Sequence, residues 1–234
     1  MIKIHEKAVR GRTKTGWLDS YHTFSFGGFS DPNRMGFGNL RVINEDTVIP
    51  GSGFAAHDHD NMDILTLVLD GALRHDDDQG NRSHIIAGDI QAMSAGSGVR
   101  HSEMNASQAA SAHFLQIWLI PDRVGGSPSY AQAKVRAEGD VLLAGPEGSG
   151  ALLPLRSATT LTLRRLDEDD VLGIAAASDR HRFVHVLDGL ASAEGERVSA
   201  GDGLQIPAGE TLELTSLTAG EALLFDMPLR RRAH

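Results

Sequence analysis

Two glycine-flanked segments constrain this chain more than any other stretch: Gly51 to Asp63, read G-S-G-F-A-A-H-D-H-D-N-M-D, and Gly88 to Asn105, read G-D-I-Q-A-M-S-A-G-S-G-V-R-H-S-E-M-N. Each carries two metal-capable side chains at a spacing of two, His57 with His59 and His101 with Glu103. Residues i and i+2 of a strand share a face, so each pair projects to one side. The first pair is followed by the apolar run Ile64 to Leu69 and the second is preceded by a glycine-punctuated turn, which predicts strands for both. Two neighbouring strands can then present three imidazoles and one carboxylate to a single interior point.

A lone His-x-His on an exposed strand is ordinary. A second pair on a later strand, with glycines able to bend each strand towards a cavity, makes a shared site the better expectation. Nitrogen and oxygen donors in this ratio suit a divalent transition metal, and four protein ligands leave positions open for water or substrate. Iron(II) is the expected ion, with Ni, Cu, Mn, Co and Zn also compatible.

Gly51-x5-His57-x-His59-x3-Asp63 resembles the first cupin motif and Gly88 to Asn105 the second. More specifically, Met35-Gly-Phe-Gly-Asn-Leu-Arg-Val-Ile-Asn44, His57-Asp-His59, Met93-Ser-Ala-Gly-Ser-Gly98 and His101-Ser-Glu-Met-Asn105 resemble the pirin family, in the bacterial branch associated with quercetin dioxygenase activity. The resemblance spans nearly the whole chain. It implies an all-β bicupin, two β-sandwich or jelly-roll barrels packed together, with one occupied barrel and metal ligands at His57, His59, His101 and Glu103. Asp63 stands where cupins usually carry Glu, and Ser94 where the general pattern has Pro. Neither departure touches the ligand set, because the fourth pirin ligand corresponds to Glu103.

The 234 residues suffice for one large or two modest domains with a substantial core. Zero cysteines exclude disulfides, thiolate zinc sites and thiol nucleophiles. A net charge of −9 and the absence of a nucleic-acid motif argue against direct nucleic-acid binding. The first residues lack the apolar stretch of a signal peptide and no apolar run reaches membrane-spanning length, so a soluble, cytoplasmic protein is expected. Arg230 to Arg232 reads as a solvated basic tail.

Along the chain, Tyr21 to Phe26 alternates as a half-buried strand, and Phe24, Phe26, Phe29 and Phe37 read as core, with an aromatic pocket as the alternative. Asp70-Gly71 predicts a hairpin turn and Gln79-Gly-Asn81 another. His75 and His84 read as exposed, and His113 as a satisfied buried histidine. Ser129 to Arg136 reads as a short helical piece inside a glycine-rich connection. The expected division is an N-terminal metal-binding cupin domain at 1–122, a connection at 123–150 and a degenerate cupin domain at 151–234. Asp188-Gly189 repeats Asp70-Gly71 and Gly201-Asp-Gly203 echoes Gly88-Asp89, so the second half reads as a diverged copy of the first. His181 and His185 lie too far apart to reproduce the His57–His59 pair, which leaves one metal, in the first half.

What the resemblance implies for function is cleavage of a flavonol such as quercetin by O2 with release of CO, Glu103 being both ligand and proton acceptor. The alternative is a regulatory, protein-binding module with a redox-sensitive metal centre and no turnover. A small aromatic substrate with O2 is the expected partner, a protein partner is compatible, and a monomer is expected because two barrels can pair within one chain.

Overall fold

A computed structural model describes residues 1–229; Arg230 to Arg232 lies outside the described residues. The chain opens with β1 (Lys3–His5), β2 (Gly11–Lys14), β3 (Leu18–His22) and β4 (Leu40–Val48). The two histidine segments fall within β5 (Gly53–His59), β6 (Asp63–Asp70), β7 (Ala72–Asp77), β8 (Arg82–Ile86), β9 (Asp89–Ser94) and β10 (Val99–Asn105). Then come β11 (Ala112–Leu119), β12 (Ser129–Lys134), β13 (Val141–Pro146), β14 (Leu153–Leu155), β15 (Thr160–Leu166) and β16 (Val171–Ala175). The chain closes with β17 (Arg180–Asp188), β18 (Leu190–Ala193), β19 (Glu196–Ser199), β20 (Gly203–Ile206), β21 (Thr211–Ser216) and β22 (Gly220–Pro228).

These strands form two sandwiches of like design, the bicupin expected from sequence. A seven-stranded sheet, β12-β9-β6-β11-β4-β3-β2, faces a four-stranded sheet, β5-β10-β7-β8. In the second half β1-β20-β17-β22-β15-β13-β14 faces β16-β21-β18-β19. The first strand of the chain therefore belongs to the second sandwich, with His5 registered against Gly203.

Period-2 patterning decides which face of the first large sheet meets what. Ile43, Leu65, Leu115 and Ile117 turn outwards into a continuous core with Leu143, Leu161, Phe183 and Phe225 of the second sandwich. Each such side chain contributes roughly 2 kcal/mol on burial, so the two sheets are joined by their largest apolar surface. The opposite face lines the first sandwich in three rows: Ile64, Met93 and Trp118 at one end, Thr66, Gln91 and Gln116 in the middle, Val68 and Phe114 at the other. Burial on both faces explains the near-continuous hydrophobicity of β6 and β11.

Several details depart from the sequence expectation. Ser129 to Lys134 is a strand hydrogen-bonded to β9, because the edge of β9 offers partners that a short isolated helix would not have. Asp70-Gly71 is a turn but not a hairpin: β6 and β7 lie in different sheets, and Gly71 makes the corner. Its φ of +76° and the Ser111 carbonyl 2.6 Å from where a Cβ would sit require glycine there. Asp188-Gly189 makes the same corner between β17 and β18, with Gly189 at φ +83°. Gln79 to Asn81 does connect a true hairpin, β7 to β8. The strand over Tyr21 to Phe26 stops at His22, after which Thr23, Phe24 and Ser25 are all buried. Among the described residues no helix is long and apolar enough to cross a membrane.

Candidate metal centre

β5 and β10 are antiparallel neighbours, and the register sets His57 opposite His101. A bulge between His101 and Glu103 shifts the pairing so that Glu103 lies opposite Phe54. Gly53 makes the close approach possible: a Cβ there would stand 2.3 Å from the Glu103 carbonyl oxygen. The rings of His57, His59 and His101 converge, with centroids 4.6 to 5.0 Å apart, and one ring nitrogen of each lies within 4.8 Å of the others.

Burial, reinforced by its histidine neighbours, holds His101 down to about 3, and burial followed by the charge of His57 holds His59 down to about 4. Both rings are therefore neutral at pH 7, the state in which imidazole offers a lone pair. His57 Nδ1 lies 2.8 Å from the Ala55 carbonyl and donates to it, which leaves Nε2 free towards the other rings. His101 Nε2 is buried with no hydrogen-bond partner. An orphaned buried imidazole nitrogen costs free energy unless something accepts its lone pair, and three neutral imidazoles converging on one point fit a first-row divalent ion.

Glu103 lies on the middle, polar row. Its Oε1 accepts from Thr66 Oγ1 at 3.0 Å and Gln91 Nε2 at 2.6 Å, and Oε2 accepts from Gln116 Nε2. Three donors compensate a buried carboxylate and leave about one of its four acceptor positions open. Within 4.8 Å, Glu103 groups with His101 and His75 rather than with the other two rings. The three histidines thus form one cluster, and the carboxylate adjoins it through His101.

His75 is a correction. It is fully buried on β7, directly across from Glu103, and its ring packs against Tyr130 at 4.6 Å. Its Nε2 lies 3.1 Å from Asp77 Oδ2 and its Nδ1 3.5 Å from His101 Nδ1. One tautomer set satisfies every contact: His75 Nε2–H donates to Asp77, His101 Nδ1–H donates to His75 Nδ1, and His101 Nε2 stays bare. The signal was present in the sequence, since His75-x-Asp77 is itself an i, i+2 pair on a strand. Thr66, Gln91 and Gln116 were equally marked, each a lone polar residue inside an apolar run. His84 is exposed as expected. His113 is not buried: it lies near the start of β11, its side chain is 36% exposed and it pairs with Glu45 at 3.1 Å.

Asp63 and Ser94, the two departures from the cupin pattern, are cross-strand partners joined by a 2.6 Å hydrogen bond, away from the cluster. The phenylalanines divide: Phe24 is in the core, Phe37 packs against it, and Phe26 lines a cavity. That cavity, about 470 Å³, opens beside His57, His59 and Glu103 and is walled by Trp17, Phe26, Phe54 and Trp118. Both clusters of metal-capable side chains found among the described residues lie in the first half of the chain.

Comparison with known proteins shows the family and bears out the fold. The Pirin family profile matches residues 4–119, and a quercetinase C-terminal cupin domain profile matches residues 142–227. A quercetin 2,3-dioxygenase of Escherichia coli (strain K12) is 39% identical over 229 residues, covering 97% of this chain and 99% of that protein. A pirin-like protein of Caulobacter vibrioides is 36% identical over 222 residues, covering 92% and 95%. Among solved structures, YhhW from Escherichia coli superposes with a TM-score of 0.94 at 38% identity over the whole of both chains. The bacterial pirin YhhW in complex with nickel(II) gives 0.93 at 38% identity, covering 98% of this chain and 100% of that one.

Proposed function

Because the chain belongs to the pirin family, we propose that it is a metal-dependent dioxygenase that opens a flavonol such as quercetin with O2 and releases CO, using His57, His59, His101 and Glu103 as ligands. The observation that carries this is the aromatic-walled cavity meeting the histidine cluster: a centre with a purely structural or regulatory role would be sealed by side chains, and this one adjoins about 470 Å³ of space. The nickel(II) complex of a 38% identical relative supports a first-row ion; iron(II) is the ion proposed for turnover here. The protein acts in the cytoplasm as a monomer on a small aromatic molecule and O2, and its chain divides at 1–122, 123–150 and 151–234, with the connection lending one strand to each sandwich.

A divalent transition metal held by these residues supplies a Lewis acid for a substrate hydroxyl and a redox-capable centre for reaction with dioxygen. The chain's own residues do the rest. Trp17, Phe26, Phe54 and Trp118 exclude water and offer flat apolar walls to a planar ring system. The one acceptor position that Thr66, Gln91 and Gln116 leave on Glu103 would serve in turn as metal ligand and as acceptor of the substrate's hydroxyl proton, while those three donors keep the carboxylate from turning away. His57, held by the Ala55 carbonyl, and His101, held by the His75–Asp77 pair, keep the geometry fixed.

The test is anaerobic loading with Fe(II), Ni(II), Cu(II) or Mn(II), then air and quercetin, following flavonol absorbance and CO, with His101→Ala as control. Metal-dependent flavonol loss with CO, absent in the control, is the expected result. Tight metal binding without flavonol consumption would sink the dioxygenase reading. Glu103→Gln is expected to keep most of the metal and lose turnover by about 10²-fold or more; metal loss equal to that of the histidine variants would remove its separate proton role.

A further inference from the structure

Beside the histidine cluster, the cavity has a second polar surface that the chemistry above does not use. Ser20, His22, Asn44 and Asp46 project from neighbouring strands β3 and β4 onto the cavity wall, and all four are at most 4% exposed. Asn44 is the cross-strand neighbour of Gln116, so this surface continues the polar row that holds Glu103.

The hydrogen bonds of this surface leave a specific remainder. His22 Nδ1 donates to Asn44 Oδ1 at 2.8 Å, and Thr13 Oγ1 donates to His22 Nε2 at 2.8 Å. Those contacts use the ring completely. The Asn44 amide nitrogen donates to no group among the described residues, and the Asp46 carboxylate, which lines the cavity with its Oδ1 sealed from solvent, has no hydrogen bond within ordinary geometry among them. A carboxylate oxygen orphaned in a cavity wall is costly unless a donor arrives from the cavity. Burial, its largest influence, pushes the Asp46 carboxyl up to about 7.

We infer that Asp46, with Asn44 beside it, forms a hydroxyl-binding subsite that selects planar aromatic ligands carrying at least one hydroxyl beyond the one presented to the histidine cluster. The inference rests on the flavonol reading for its choice of ligand and extends it to specificity. The Asp46 carboxylate, which lines the cavity, accepts from the second hydroxyl, and the Asn44 amide supplies a donor two residues along the same face of β4. The apolar walls between the two polar ends take the ring system. A ligand with no second hydroxyl leaves the Asp46 carboxylate as unsatisfied as it is in the free protein and gains nothing from this wall.

The experiment compares quercetin with 3-hydroxyflavone, which keeps the metal-directed hydroxyl and lacks the others. Dissociation constants are read anaerobically by flavonol absorbance on metal-loaded wild type, Asp46→Asn and Asp46→Val, with metal content and thermal unfolding checked for each. Wild type is expected to prefer quercetin by about tenfold or more, the worth of one hydrogen bond to a charged group. Asp46→Val is expected to abolish that preference by weakening quercetin alone. Asp46→Asn, which preserves shape, gives an intermediate loss and serves if the valine variant fails to fold. Equal weakening of both ligands, or an undiminished preference in Asp46→Asn, overturns the subsite. CO release in air separates the two readings: Asp46-dependent quercetin binding without CO keeps the subsite and sinks the dioxygenase, whereas CO release with an unchanged preference does the reverse.

Discussion

Replacing Asp77 by asparagine removes the carboxylate that fixes the His75 tautomer, and the effect reaches His101 one ring further on. Asp77→Asn and His75→Phe are expected to lower metal affinity by about 10- to 100-fold with the ligand set intact, as measured by competition with a chromophoric chelator. Unchanged affinity would mean that His101 finds its tautomer unaided. Asp46 supports a second expectation, in the metal-free protein. Its folded value of about 7 stands above the ordinary 3.8, so between those values the native chain holds a proton that the unfolded chain has lost. Stability from this group therefore falls as pH rises from about 4 to about 7. Asp46→Asn removes that slope: urea unfolding should show the variant gaining on wild type between pH 4.5 and 7.5, and parallel curves would contradict it. At this scale the convergence of three histidines was legible, because i, i+2 spacing turns His57 and His59 to one face and His101 lies on the paired strand. The sequence hid what those side chains rest on. Gln91 and Asp46 become meaningful only once register sets them beside Thr66 and Ser20, and Gln116 only once the facing sheet brings Glu103 to it; both are long-range properties.

Among elements, the β5–β10 pair governs the centre. A methyl group at Gly53 would collide with the Glu103 carbonyl oxygen and the Met104 Cα, both backbone positions that cannot swing aside. Gly53→Ala is expected to pry β5 from β10, lower stability by about 1–3 kcal/mol and weaken metal binding, since His57 and His101 meet only through that pairing. Chemical denaturation and chelator competition check the two effects, and a variant with native metal affinity would show that the strands tolerate the shift. Strands with alternating or continuous apolar patterns were legible here. The exceptions have physical causes: Ser129 to Lys134 lacks a strong pattern and becomes a strand only because β9 has a free edge, and the Asp-Gly corners look identical whether the chain returns beside itself or crosses to the facing sheet.

Across the whole molecule, the core shared by the two large sheets predicts one cooperative unfolding transition, with circular dichroism and tryptophan fluorescence coinciding in urea. Two separated transitions would show that the sandwiches are independent. Deleting residues 2–6 should lower the midpoint while keeping the transition single, because β1 covers the edge of β20 and brings Ile2 and Ile4 against the second core. The bicupin plan was legible from repeated turns and motifs. The exchange of β1 was not, since three residues of ordinary strand sequence say nothing about which sheet they join.

That exchange also bears on how the chain comes into being. Lys3 to His5 leaves the ribosome long before its partners, Gly203 to Gln205. The first sandwich is complete in sequence once β12 has emerged, so its metal-ligand strands can close while their own leader still waits, unpaired, for a sheet that has not been made. Synthesis from one end to the other thus separates maturation of the centre from completion of the molecule. A late step of assembly is the capture of β1 by β20, a segment made long after it.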